Sequence, residues 1–112
     1  MKPVWLGLAL WLGGEELVRD TAVEIRTFRF REPAVEVSAG TRVTWTNQDA
    51  IEHTVTSGVP DGADGAFGAT LAGEGSTFGF TFDSAGTYPY FCARHQFMRG
   101  EIRVLTLTDG AR

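Results

Sequence analysis

The chain has 112 residues, room for one domain with a single core, and its 43% hydrophobic and 21% charged residues exclude a disordered, collagen-like or coiled-coil protein. Fourteen acidic against ten basic residues leave a net charge of -4, so the basic surplus that phosphate backbones attract is missing and no nucleic acid is expected as partner.

At the N-terminus Lys2 precedes an apolar run from Pro3 to Gly14, followed by Glu15 and Glu16. The run is shorter than the roughly 20 residues a bilayer requires and suits the apolar stretch of an export signal. Residues 1–20 are therefore expected to be a signal peptide or N-terminal extension, and 21–112 the folded domain, without stable membrane insertion. A buried N-terminal strand or a misplaced start is the alternative. In an exported chain the single cysteine, Cys92, has no internal partner for a disulfide, so it pairs between molecules, stays free or does chemistry.

From Thr21 onward short alternating runs recur between Gly, Pro, Asn and Asp, with no sustained helical period. Val23 and Ile25 alternate with charged residues, then the apolar parity switches to Phe28 and Phe30, which predicts a bulge or a change of sheet. Pro33 and Gly40 bracket a strand with Val35 and Val37 inward, and Arg42 to Asn47 follows with Val43 and Trp45 inward. Glu52 to Ser57 is the next strand. Gly58 to Gly75 reads as a long loop with one short strand from Phe67 to Leu71. Thr77 to Phe82 aligns Phe78, Phe80 and Phe82, and Thr87 to Cys92 aligns Tyr88, Tyr90 and Cys92, with Pro89 implying an edge position or an irregular ladder. Ile102 and Val104 begin the closing strand. Seven or eight strands without an internal repeat fit an all-β Greek-key sandwich.

His53 shares a face with Val55, and Cys92 shares one with Tyr88 and Tyr90 just before the chain turns into Ala93-Arg94-His95-Gln96-Phe97-Met98. Cys-x2-His-x2-Met thus places a thiolate, an imidazole and a thioether on one tight loop. Soft sulfur ligands with imidazoles select copper, and two His with one Cys in a plane and a weak axial Met is the arrangement of electron-transfer copper sites. The metal ligands expected are His53, Cys92, His95 and Met98, around one copper ion.

Each residue has a plainer reading, as a hydrogen-bonded core histidine or a small apolar cysteine. Structural zinc wants four Cys or His ligands and only three exist. A Cys92–His95 nucleophilic pair lacks an oxyanion apparatus, so no enzyme is expected. A copper-delivery protein and a metal-free interaction module stay open as alternatives.

The run Phe30, Pro33, Val35, Val37, Gly40, Val43, Trp45, Asn47, Asp49, His53, Thr54, Val55, continued by Gly86-Thr87-Tyr88-Pro89-Tyr90-Phe91-Cys92, resembles the plastocyanin-like cupredoxins over nearly all of 21 to 108. The short loop ending Phe97-Met98-Arg99-Gly100 is most similar to that of the amicyanins. The resemblance implies an eight-stranded Greek-key sandwich with one type 1 copper, shuttling single electrons between redox proteins outside the cytoplasm. It makes Asn47 the residue that ties the His53 segment to the loop after the cysteine, where Ala93 offers only its backbone in place of the family's Thr or Ser. Arg94 and Gln96 stand where that loop carries prolines, so a looser loop is expected. As an electron carrier the domain would be a periplasmic or extracytoplasmic monomer serving a cytochrome c or dehydrogenase type of donor and acceptor. Docking is expected at the His95 edge, ringed by Phe97 and by Phe67 from the long loop, with Arg94 and Arg99 supplying positive charge.

Overall fold

A computed structural model of the protein describes residues 19–106. The export-segment reading concerns residues that lie almost wholly outside that range. The first strand opens at Asp20, one residue before the boundary read from the sequence.

Among the described residues nine strands follow in order: β1 Asp20–Ile25, β2 Phe30–Arg31, β3 Ala34–Ser38, β4 Thr41–Asn47, β5 His53–Val59, β6 Gly62–Leu71, β7 Thr77–Phe82, β8 Gly86–Phe91 and β9 Arg99–Leu105. They form two sheets, β2-β1-β4-β7 and β3-β9-β8-β5-β6. Only β1–β2, β5–β6 and β8–β9 are neighbours in both chain and sheet; every other connection crosses the sandwich. The ninth strand, beyond the eight expected, is the two-residue β2, which pairs back on β1 through Glu24–Arg31 and Ile25–Phe30. This hairpin is the physical cause of the parity switch after Ile25. Thr27 and Phe28 turn the chain in left-handed conformations, φ 51° and 60°.

Alternation in β4 shows how the core forms: Val43, Trp45 and Asn47 point in while Arg42 points out. Trp45 is fully buried between Phe67 and Phe78, its plane within 20° of each, and meets Tyr90 edge-on at 5.3 Å. The core closes with Val23, Ile25 and Phe82 from one sheet and Val55, Leu71, Ile102 and Val104 from the other.

Two expectations need correction. The Gly58–Gly75 stretch is no long loop: Gly62–Leu71 is a ten-residue edge strand along β5, with a register shift between Thr56 and Gly58. Only Phe67 and Leu71 of it face the core, so little hydrophobic alternation marks it and backbone pairing carries it. Phe67, predicted near the surface of the site, is buried against Trp45, Phe80 and Phe82. Pro89 lies within β8, an interior strand whose pairing with β5 is confined to Tyr90 and Phe91. The proline therefore sits where the ladder on that side needs no donor.

Candidate metal centre

At one end of the sandwich three chain segments converge. β8 runs into Cys92, β5 opens with His53, and a seven-residue connection, Cys92 to Met98, leads into β9. That connection is two successive tight turns. The amide of His95 donates to the carbonyl of Cys92 at 3.3 Å, that of Met98 to His95 at 2.9 Å, and that of Cys92 back to Met98 at 3.1 Å. The spacing of three between Cys92, His95 and Met98 is thus the period of a β-turn, which presents each side chain at the same stage of its turn.

The donor atoms of His53, Cys92 and His95 lie within 4.8 Å of one another. Both imidazoles turn Nδ1 toward the sulfur, each at 3.8 Å from Sγ. A trigonal site with bonds of about 2.1 Å to nitrogen and about 2.3 Å to sulfur has nitrogen–sulfur edges of about 3.8 Å. The two nitrogen–sulfur edges therefore match what one three-coordinate transition-metal ion would need. His53 and Cys92 are fully buried, Met98 is buried beneath the loop, and His95 is half-buried, with its ring between the interior and the surface.

The neighbours of these donors fix their direction. The Thr54 amide donates to Cys92 Sγ at 3.3 Å, which fixes the position of the sulfur. Nε2 of His53 meets Asp49 Oδ2 at 2.8 Å, a carboxylate–histidine pair of the kind that orients metal ligands. Asp49 also accepts the amides of Thr27 at 2.8 Å and Phe28 at 3.0 Å. Desolvation by itself would raise the Asp49 pKa, yet hydrogen bonds from Phe28, His53 and Thr27 outweigh it and hold the carboxyl below its usual range. The Phe28 ring stands edge-on to both imidazoles, 5.2 Å from His53 and 5.0 Å from His95.

Asn47 is buried but does not reach the loop after the cysteine: its Nδ2 donates to the carbonyls of Ile51 at 2.9 Å and Leu71 at 3.1 Å. Its Oδ1 accepts the Asp49 amide at 2.9 Å. The tie from the His53 segment to the loop after the cysteine belongs instead to Thr54, whose Oγ1 accepts the Ala93 amide at 2.7 Å. Ala93 does contribute through its backbone alone. The loop without prolines is held by its turn bonds and by Arg99 Nε donating to the Gln96 carbonyl at 2.9 Å. Arg94 is drawn to Glu52 at 3.3 Å, both exposed, so its charge is largely answered within the protein. Phe97 is 71% exposed beside His95, and the place expected for Phe67 is taken by Phe28. A groove lined by Phe28, Arg29, Arg31, Phe97 and Arg99 runs alongside the loop. Sequence reasoning passed over Asp49, Thr54 and Phe28 as site residues, although Asp49 and Thr54 flank His53 closely enough in sequence to have been considered.

A His–Cys–His donor triangle with two of its members buried, and a buried methionine on the same loop, at one end of a two-sheet β-sandwich, defines a single-ion metal protein suited to a soft cation. Comparison with known proteins identifies which one. Residues 18–105 match the family described as copper binding proteins, plastocyanin/azurin family. Amicyanin-alpha of Methylorubrum extorquens is 34% identical over 86% of this chain and 85% of that protein. Amicyanin of Paracoccus denitrificans is 33% identical over 73% of this chain and 63% of that protein. Among solved structures, a purple cupredoxin from Nitrosopumilus maritimus superposes with a TM-score of 0.70 at 26% identity, covering 77% of this chain and all of that one. A Cu(I) form of an amicyanin variant gives 0.62 at 32% identity, covering 77% of this chain and 82% of that one. The chain belongs to the plastocyanin/azurin family of copper-binding proteins, and it is a blue copper protein whose work is electron transfer.

Proposed function

We propose that His53, Cys92, His95 and the Met98 thioether would hold one copper ion, and that the domain passes single electrons between redox proteins outside the cytoplasm. Bound copper supplies the one-electron chemistry, cycling between Cu(I) and Cu(II). The observation that carries the reading is the triangle of His53, Cys92 and His95 donors, all within 4.8 Å and closed off from solvent except at His95. Cys92, fixed by the Thr54 amide and at the end of β8, ties the site directly to the backbone. Burial and three converging segments keep the donors from rearranging when the ion's charge changes, which is what fast transfer without turnover requires. A delivery site would need an open, exchangeable ligand set, and the buried Cys92 disfavours it.

His95 is the exit for the electron, because its ring alone among the three is half-exposed and Phe97 and Phe28 surround it. Arg99, Arg29 and Arg31 line the adjoining groove against the single acidic Glu32. The partner recognised there is therefore a redox protein of cytochrome c or dehydrogenase type with an acidic docking face. We read the protein as a periplasmic or extracytoplasmic monomer; no helix among the described residues is long and apolar enough to cross a membrane.

Titration of the metal-free protein with Cu(II) tests the centre. One equivalent should produce an intense visible charge-transfer band, and Cys92→Ala should abolish it while the fold persists. Stoichiometric binding without colour in the wild type would overturn the assignment in favour of delivery.

A further inference from the structure

Asp49 lies on the connection between β4 and β5, outside the ligand set, and its one carboxylate joins that connection to both the β1–β2 turn and His53. Its Oδ1 accepts the Thr27 amide, and its Oδ2 accepts the Phe28 amide and faces His53 Nε2 at 2.8 Å. Two successive left-handed residues aim their amides at one carboxylate, an anion-binding nest made by the β1–β2 turn. The same turn carries Phe28, whose ring stands over both His53 and His95. Asp49 is itself held by Asn47, whose Oδ1 accepts its amide.

We propose that Asp49 is a positioning residue for the metal centre, one carboxylate that fixes His53 with Nδ1 free toward Cys92 and at the same time closes the Thr27–Phe28 turn over the two imidazoles. The inference rests on the copper reading above. When Nε2 carries the proton and donates to Asp49, the Nδ1 lone pair is left pointing at the ligand triangle. The negative charge behind the ring also makes His53 a stronger donor, and a stronger donor favours Cu(II) over Cu(I). Phe28 completes the device: its amide held by Asp49, it sets its ring edge-on against His95 at 5.0 Å. The closed turn and the aligned ligand thus depend on one side chain.

Asp49→Asn keeps the shape and removes the charge. Affinity for Cu(II) should fall about 10–100-fold, affinity for Cu(I) should fall less, and the reduction potential should rise while the visible band is retained. In the metal-free variant the Thr27 and Phe28 amides should exchange hydrogen faster than in the metal-free wild type. An unchanged ratio of Cu(II) to Cu(I) affinity overturns the proposal, even with faster exchange, because Asp49 would then clamp only the turn. Unchanged exchange at both amides overturns it as well. If the variant does not fold, the wild type still decides: nitrogen NMR of the metal-free protein should show His53 protonated on Nε2, and an Nδ1-protonated ring refutes the assignment. A wild type that never turns blue defeats the copper reading itself, whereas a blue wild type with an indifferent Asp49→Asn defeats this inference alone.

Discussion

Two buried side chains show how single residues set the behaviour of this molecule. Met98, proposed above as the fourth ligand, is buried, with its amide and its carbonyl both bonded within the loop turns. Replacing it by a harder oxygen donor, Met98→Gln, should keep copper bound and lower the reduction potential, because oxygen favours Cu(II); voltammetry showing no shift would make Met98 a packing residue only. Tyr90, two positions before Cys92, is buried between Phe30 and Trp45, with ring centroids 4.7 Å and 5.3 Å away. Its hydroxyl and the Trp45 indole nitrogen have no hydrogen-bond partner of good geometry. Burial pushes the phenol up to about 12, the nearby indole N–H offsetting part of the rise. An unfolded tyrosine ionises near 10, so between these values the unfolded chain has lost a proton that the folded one keeps. The stabilisation is complete below pH 10 and fades as pH rises toward about 12. A rise of this size corresponds to about 2–3 kcal/mol. Urea unfolding of the metal-free protein should therefore show falling stability over that range, and Tyr90→Phe should flatten the fall.

At the level of elements, the site is a junction of β5, β8 and the loop into β9, stitched mainly by Thr54. Thr54→Val removes the acceptor for the Ala93 amide and keeps the amide that reaches Cys92 Sγ. A stability loss of about 1–2 kcal/mol is expected, with a broadened or shifted charge-transfer band as the loop loosens; an unaltered spectrum and melting temperature would deny Thr54 this role. At the start of β9, a Cβ on Gly100 would overlap the ring of Tyr90. Tyr90 is hemmed in by Trp45 and Phe30 and has nowhere to move, so Gly100→Ala should destabilise the fold by about 1–3 kcal/mol, seen as a lower denaturant midpoint. The meeting of His53, Cys92 and His95 was legible in the sequence, because parity aimed His53 and Cys92 inward and turn spacing set His95 beside the cysteine. The strands around Trp45 were legible through their alternation. β6 was not, since an edge strand with only Phe67 and Leu71 inward carries almost no pattern. Nor were the bonds of Thr54 to Ala93 and of Asp49 to Phe28, or the ring contacts of Phe28, which join segments 21 or more residues apart, distances over which no local pattern speaks.

Over the whole molecule, charge is distributed against its average. The chain carries -4, yet Arg29, Arg31 and Arg99 gather beside the exposed edge of the metal centre with only Glu32 among them. Surface charges act over about 8 Å at physiological salt, so an approaching anion feels this end of the protein before it feels the acidic remainder. Arg94 sits equally close to the loop but is already paired with Glu52, and an exposed pair of this kind presents little net field. The two arginines flanking His95 should therefore behave differently, a distinction the sequence alone does not offer. Reduction kinetics of the copper-loaded protein with small redox complexes of opposite charge would separate them. Electron transfer from an anionic complex such as ferrocyanide should slow as salt rises, and Arg99→Glu should slow it by at least about twofold more at low salt. Arg94→Ala should change it much less. A cationic reductant should respond in the opposite sense to Arg99→Glu, and the visible spectrum should stay the same in both variants, since neither guanidinium touches a donor atom. Equal responses to the two substitutions would mean that the Arg94–Glu52 pair opens in solution. No response to either, at any salt, would move the electron's exit away from His95 and this groove.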